Sequence, residues 1–149
     1  MELFLIAQIA GRGVAIETGQ VDSVVDIADI VAVPRTGAAI RGLVALRSRV
    51  VTVIDTGTAL GLDPTPDSAR RAVITRVDGH SYAILVDALE DVASFERQPL
   101  SSGLALDHGW ASVGVGLIER DGEPLLIVDL ATLVPQPAAQ PASLPSLAA

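Results

Sequence analysis

The sequence predicts an all-β fold of two small five-stranded barrel subdomains in tandem, with a groove where the barrels meet. Short apolar runs rich in Val, Ile and Leu alternate with Gly-containing turn signals along most of the chain. Paired runs flank turn dipeptides, most clearly at Asp78-Gly79. The order of these features in the first half is repeated in the second. Five short strands in each half favour barrels over open sheets, because closure removes exposed strand edges.

The internal repeat divides the chain. A shift of 68 residues superposes the opening hairpin and the segment after it on their counterparts: Ile9 on Val77, Gly11 on Gly79, Val14 on Tyr82, Val21 on Leu89 and Val24 on Val92. A shift of 74 residues does the same for the next hairpin: Gly42 on Gly116, Leu43 on Leu117 and Asp55 on Asp129. We therefore expect one domain over residues 1–134, with subdomains of about 3–62 and 73–134. Residues 135–149 form a Pro/Ala/Ser sequence typical of a disordered tail.

The elements of the first subdomain follow from its turn residues. A strand over 3–9 is turned by Gly11-Arg12-Gly13 into a second strand over 14–16. A bent strand within 21–33 leaves Asp22 and Asp26 exposed. The next hairpin has strands over 43–46 and 50–54 around the basic insert Arg47-Ser48-Arg49, followed by a helical turn over 58–62. The second subdomain repeats the scheme: strands over 73–77 and 82–86, a mixed segment over 89–95, an irregular loop over 97–110, strands over 113–118 and 125–128, and a helical turn over 130–134.

Composition excludes several kinds of protein. The chain has no cysteine, which rules out disulfides, thiolate zinc sites and cysteine nucleophiles. A net charge of −8 without a basic run argues against a nucleic-acid partner. No apolar run approaches the roughly 20 residues of a membrane span, so we expect a cytoplasmic protein without direct membrane insertion. His80 and His108 lie far apart in turns or loops, and we expect no metal and no cofactor.

One stretch supports an enzymatic hypothesis. Asp55-Thr56-Gly57, after a run of β-branched residues, resembles the active-site loop of retropepsin-like aspartic proteases. Those enzymes need two such loops, so that two carboxylates share one proton. The repeated position here is Asp129-Leu130-Ala131, which lacks the Thr and Gly that shape the loop. The other hypothesis makes Asp55 a turn or capping residue and the protein a binding module.

The pattern of the whole chain supports the second hypothesis. From residue 3 to about residue 134 it resembles the CheW family of bacterial chemotaxis adaptors. The resemblance rests on the opening strand pair, on Val33-Pro34, on the segment 40–47 (IRGLVALR), on Val53-Ile54-Asp55 and on the segment 82–92. The chain departs from the family pattern at Ser23, Ala45, Ser48 and Asp55-Thr56-Gly57.

The resemblance implies a non-enzymatic scaffold of two SH3-like barrels. Such adaptors couple the cytoplasmic tips of chemoreceptors to the regulatory domain of a CheA-type histidine kinase, at receptor arrays on the inner membrane face. It further implies a kinase interface at Val21, Ser23, Val24 and Gly42. A receptor-facing groove is implied at Arg47, Ala83, Leu89 and Val92. The residues by themselves leave other roles open: core packing for Val21, Leu89 and Val92, and a solvated hairpin charge for Arg47.

Overall fold

The computed structural model describes residues 1–34, 37–100, 106 and 108–135. These residues form ten strands, which are, in chain order, β1 (Glu2–Ile9), β2 (Arg12–Glu17), β3 (Ser23–Asp26), β4 (Ile40–Leu46), β5 (Arg49–Ile54), β6 (Arg71–Val77), β7 (His80–Leu85), β8 (Ala88–Phe95), β9 (Gly114–Arg120) and β10 (Glu123–Val128). The helices are short: α1 (Thr56–Ala59), α2 (His108–Val113) and 3₁₀ turns at Thr18–Gln20 and Leu130–Leu133. None of the helices described is long and apolar enough to cross a membrane.

The strands form two five-stranded sheets, which confirms the predicted all-β architecture. Sheet A has the order β8-β1-β2-β10-β9, and sheet B has the order β3-β6-β7-β5-β4. The two orders are the same once β1–β5 are replaced by their repeats β6–β10 and the reverse. The internal repeat in the sequence is therefore a repeat of structure.

The repeat boundary is not the boundary between the sheets. We predicted subdomains over about 3–62 and 73–134, but each sheet joins one hairpin from one half to three strands from the other half. Two parallel pairings complete this exchange, β2 with β10 and β5 with β7. A hairpin fixes only the pairing of its own two strands, so the sequence pattern is the same for the tandem and the exchanged arrangements. The expected tail over 136–149 lies outside the described residues.

Each sheet curls into a small barrel, closed in the same way in both. The segment after β3 returns to β4, where the backbones of Val31 and Leu43 exchange hydrogen bonds of 2.8 and 2.9 Å. The segment after β8 returns to β9, where Gln98 and Leu117 exchange two hydrogen bonds of 2.8 Å. We call the structures built on sheets A and B barrel A and barrel B.

The hydrophobic core has three layers, and the largest lies between the two sheets. Alternate residues of one strand serve different layers: Phe4 and Ile6 face the inside of barrel A, whereas Leu5, Ala7 and Ile9 face the inter-sheet core. In β7, Ala83 and Leu85 fill barrel B while Ile84 packs in the inter-sheet core. Burial on both faces explains why these strands read as nearly continuous apolar runs rather than alternating ones.

The segment predicted to be an irregular loop over 97–110 is partly helical, since α2 begins at His108. Trp110 lies on this helix, buried in the inter-sheet core, with the Arg12 guanidinium 5.1 Å from its ring centroid. The helical turns predicted at 58–62 and 130–134 are present, slightly earlier, as α1 and the 3₁₀ turn at Leu130–Leu133. Asp22 and Asp26 are exposed beside and on β3, as predicted.

Four hairpins have two-residue turns with positive φ at both positions. Three place Gly second, including Ala10-Gly11, which corrects the turn we predicted at Gly11-Arg12-Gly13. The fourth turn is Arg47-Ser48, with φ of 50° and 66°, so Arg49 belongs to β5 rather than to a three-residue insert. Such turns match the twist of the strands, but a side chain at these angles is strained.

Replacing Ser48 by Gly should therefore stabilise the protein. Gly adopts positive φ without a Cβ penalty, so we expect the free energy of unfolding to rise by about 1 kcal/mol. Urea denaturation followed by circular dichroism would measure the change. Ser94→Gly, within β8, is the control and should be destabilising, since Gly in a strand interior loses more entropy on folding. An unchanged or lower stability for Ser48→Gly would contradict the assignment of strain to this turn.

Candidate partner-binding surfaces

Three of the four residues predicted to contact a kinase lie together along the start of the edge strand β3. Ser23 is exposed, Val24 is 38% exposed, and Val21 is half-buried against the inter-sheet core. β3 pairs only with β6 and is the outermost strand of sheet B. The structure therefore offers an apolar side chain and a strand edge at the place where the sequence resemblance implies an interface.

Gly42 lies apart from this group, on the opposite edge strand, β4. It is buried, and a Cβ at this position would lie 2.4 Å from the Val31 carbonyl oxygen. The missing side chain lets the segment after β3 approach β4 closely enough to close barrel B. The structure thus gives Gly42 a packing role in the free protein.

Two of the residues predicted for the receptor groove lie on one face of β8. Leu89 pairs with Ala7 and Val92 pairs with Leu5, across a bulge that keeps both on the inter-sheet face. Leu89 packs against the inter-sheet core, whereas Val92 is 54% exposed. Leu3, 52% exposed, stands on the same face of β1. We call Leu3, Leu89 and Val92 the β8 strip, an exposed apolar margin of the inter-sheet core.

The other two predicted groove residues lie elsewhere. Ala83 is fully buried inside barrel B, so its side chain cannot touch a partner of the folded protein. Arg47 is exposed in the β4–β5 turn, where it lines a cleft of about 180 Å³ together with Ser23. The structure therefore places Arg47 beside a predicted kinase-contact residue rather than on the sheet that carries the β8 strip.

An exposed apolar patch was missed by the sequence reading. Val31 is 65% exposed and Val50 is 66% exposed, and both line a shallow cleft of about 490 Å³ with Leu43 and Ala45. The signal was available in the alternation of β5, where Val51 and Val53 fill barrel B and Val50 faces the other way. We had interpreted the whole run as a buried strand.

Asp55 is the centre of a structural network that the sequence did not reveal. Its Oδ1 accepts hydrogen bonds from the backbone amides of Thr58, at 3.1 Å, and Thr65, at 2.8 Å. Its Oδ2 lies 2.7 Å from Arg41 Nη2, and both side chains are largely buried. Arg41 also donates to the carbonyl oxygens of Thr65 and Pro66. Asp55 caps α1, and Arg41 fastens the loop after α1 to β4.

This network excludes the protease hypothesis. Burial is the largest influence on the pKa of Asp55 and would raise it. The amides of Thr65 and Thr58 and the Arg41 guanidinium together outweigh burial, so the pKa lies below its ordinary value of 3.8. A catalytic dyad needs the opposite, a carboxyl that retains a shared proton. The repeated residue Asp129 is also a cap, accepting from the Ala131 amide at 3.1 Å and from Gln20 Nε2 at 2.7 Å.

Within the parts of the chain that are described, no three His, Asp or Glu side chains are grouped so as to hold a metal ion. The charged side chains form ion pairs that join strands, such as Arg120 with Glu90 and Arg97 with Glu2. The functional candidates are therefore surfaces: the β3 edge, the β8 strip, the Val31–Val50 patch and the cleft beside Arg47.

Comparison with known proteins identifies the family. The family model described as the CheW-like domain matches residues 3–138. The chain belongs to this family. Among curated proteins, it is 20% identical to the chemotaxis protein CheW of Thermotoga maritima over 127 residues, which cover 85% of this chain and 83% of that protein. Among solved structures, it is similar to the scaffolding protein TtCheW of Thermoanaerobacter tengcongensis, with a TM-score of 0.76 and 22% identity, covering 89% of this chain and 91% of that one.

Family membership confirms the resemblance drawn from the sequence, and the CheW-like structure has the expected pair of five-stranded barrels. The motifs that carried the resemblance lie in strands that build the core, such as IRGLVALR in β4 and its turn. They are therefore better evidence for the fold than for any one contact with a partner.

Proposed function

We propose that this CheW-like chain is a non-enzymatic chemotaxis adaptor that couples chemoreceptor cytoplasmic tips to the regulatory domain of a CheA-type histidine kinase. The observation that carries the proposal is the family match over residues 3–138, which spans both barrels. Such a protein works in the cytoplasm, at receptor arrays on the inner face of the membrane. Coupling requires two separate contact surfaces on one rigid body, and the inter-sheet core joins the barrels into such a body.

The β3 edge is the proposed kinase surface. Val24 supplies an exposed apolar side chain, and β3 carries backbone groups without a second neighbouring strand. Centres of protein interfaces are depleted in charge and enriched in well-packed apolar contacts. Val21 and Ser23 extend this surface at its start, while Gly42 acts indirectly by closing the barrel that presents it.

The β8 strip is the proposed receptor surface. Leu3, Leu89 and Val92 form a narrow apolar margin along one face of sheet A, suited to the apolar side of a helical receptor tip. The exposed guanidinium of Arg47 adds a site that can bind a carboxylate with two parallel hydrogen bonds. We assign it to orientation and specificity more than to total affinity.

Repeat-related residues provide a matched pair of test variants. Val24 and Val92 occupy equivalent positions, and both are exposed, so aspartate at either place should leave the fold intact. We expect Val24→Asp to weaken binding to the kinase regulatory domain at least tenfold and to leave receptor binding unchanged. Val92→Asp should do the reverse. An aspartate in the centre of an apolar contact is desolvated without a partner, which costs more than 1.4 kcal/mol, a factor of ten.

The measurement is isothermal titration calorimetry of each variant with a purified kinase regulatory domain and with a receptor cytoplasmic fragment from the same organism. Circular dichroism melts of the free variants control for folding. Loss of both partners by one variant, or of neither by both, would contradict the assignment of the two surfaces. Failure of the unaltered protein to bind either component would contradict the adaptor function itself.

A further inference from the structure

The mouth of barrel B, at the end that carries the β4–β5 and β6–β7 turns, has an unusual composition. Each of the five strands contributes one residue on the barrel-interior side: Ser23, Leu46, Arg49, Arg76 and Ser81. Each stands two residues from a side chain of the barrel B core, for example Arg49 from Val51 and Ser81 from Ala83. With Arg47 in the adjoining turn, the mouth holds three arginines on a protein of net charge −8.

The mouth encloses a small cleft with an apolar floor. Ser23, Arg47, Arg49 and Ser81 line its rim, and Val25, Val51 and Ile74 form its floor. Its volume of about 180 Å³ corresponds to about six water molecules, room for a single side chain. Ser81 is buried, and its hydroxyl is 3.5 Å from Arg49 Nη1, the longest separation that counts as a hydrogen bond.

The arginines of the mouth are not used inside the protein. Among the residues described, carboxylates within 4 Å pair with Arg41, Arg71, Arg97 and Arg120 and with no arginine of the mouth. Asp22 lines the cleft and is exposed, but it too makes no ion pair within that part of the chain. The three guanidinium groups therefore exceed the carboxylates of the cleft by two charges.

Barrel A shows how the same place is neutralised from within. In the repeat, Asp22 corresponds to Glu90, and Leu46 corresponds to Arg120. Glu90 lies 2.7 Å from Arg120 Nη1 and accepts a second hydrogen bond, of 2.6 Å, from Gln8. The mouth of barrel A thus carries its own carboxylate between donors. In barrel B the donors are present and the carboxylate is missing.

We propose that the mouth of barrel B is a socket for one glutamate side chain from an acidic segment of a protein partner. The carboxylate lies between the guanidinium groups of Arg49 and Arg47, in the role that Glu90 has in barrel A, with the Ser81 hydroxyl as a further donor. The methylene stem of the glutamate contacts the apolar floor, so a shorter aspartate fits less well. Nothing in this assignment depends on which partner supplies the segment, so it goes beyond the adaptor function proposed above.

The direct test is a titration of the full chain with acetyl-Leu-Glu-amide, followed by backbone amide chemical shifts. We expect saturable shifts of Ser23, Arg49 and Ser81 at millimolar concentrations. Acetyl-Leu-Gln-amide, which has the same shape without the charge, should give no saturable shifts at these residues. Arg49→Gln should weaken binding at least threefold. Arg70→Gln is the matched control, because Arg70 is exposed and unpaired among the described residues but lies outside the mouth.

A second variant makes the test independent of losing a contact. Ser23→Glu supplies an internal carboxylate at the rim, so it should abolish the shifts caused by acetyl-Leu-Glu-amide and raise the melting temperature. Three outcomes would overturn the proposal: no saturable shifts in the unaltered chain, equal shifts with the glutamine compound, or equal weakening by Arg70→Gln and Arg49→Gln. The last two would indicate non-specific contact or general charge attraction rather than a socket.

Discussion

Arg41→Ala is expected to lower the free energy of unfolding by about 3 kcal/mol, because it leaves a largely buried carboxylate without its charged partner. The same change removes the donor to the carbonyl oxygens of Thr65 and Pro66. The loop after α1 would then be held mainly by the amide of Thr65 and by its hydroxyl, which accepts from the Gly57 amide at 3.0 Å. Urea denaturation measures the loss.

Arg71→Ala is the matched control for Arg41→Ala. Arg71 also pairs with an aspartate, Asp26, at 2.6 Å, but both side chains are about half exposed or more. Exposed pairs contribute about 0–1 kcal/mol, so this variant should remain close to the parent. Equal effects of the two substitutions would show that the Arg41–Asp55 pair is no more important than a surface pair.

The acid dependence of stability gives a second measurement of the same network. The pKa of Asp55 is lower in the folded protein than its ordinary value of 3.8, so the ionised form stabilises the fold. This contribution is complete well above pH 4 and is lost as the pH falls through the folded-state pKa. In Asp55→Asn this part of the acid dependence should be absent. Acid-dependent unfolding identical in the two proteins would contradict a stabilising role for the carboxylate.

Gly42→Ala is expected to be the most destabilising single methyl addition on sheet B, at about 3 kcal/mol or more. The new Cβ would lie 2.4 Å from the Val31 carbonyl oxygen and 2.9 Å from its carbonyl carbon, both of which are backbone atoms that cannot rotate away. The φ of 156° adds strain for any residue with a Cβ. Relief requires breaking the two Val31–Leu43 hydrogen bonds that close barrel B.

The equivalent glycine in barrel A provides the control. Gly116 stands where β9 meets Gln98, and a Cβ there would lie 3.0 Å from the Gln98 carbonyl oxygen. Gly116→Ala should therefore cost clearly less than Gly42→Ala in a melting experiment. If Gly42→Ala kept the parent's melting temperature but lost kinase binding, Gly42 would be an interface residue, and the packing role argued here would be wrong.

The local parts of the fold could be predicted from the sequence, and the long-range parts could not. Turn residues and flanking apolar runs revealed the hairpin at Asp78-Gly79 because both strands and the turn are neighbours in the chain. The parallel pairing of β2 with β10 joins Val14 to Leu126, and no local feature marks it. An apolar run that is buried on both faces also conceals which sheet each face serves.

The same distinction explains the candidate site. Arg41 was overlooked because its partners, Asp55 and the loop residue Thr65, meet it only in the fold. Ala83 was assigned to a surface from a motif, yet strand alternation places it inside barrel B. Ser23 and Arg47 were assigned to different partners, although they line one cleft. The capping role of Asp55 was the exception, since an Asp before a short helix is a local signal.

The most direct test of the adaptor function is reconstitution of kinase activity from three purified components. Autophosphorylation of the CheA-type kinase would be measured with a receptor cytoplasmic fragment displayed on vesicles, with and without this protein. The adaptor function predicts that autophosphorylation rises severalfold only when all three components are present, and that Val24→Asp and Val92→Asp each abolish the rise. A kinase rate unchanged by the folded, unaltered protein would contradict the function proposed for this chain.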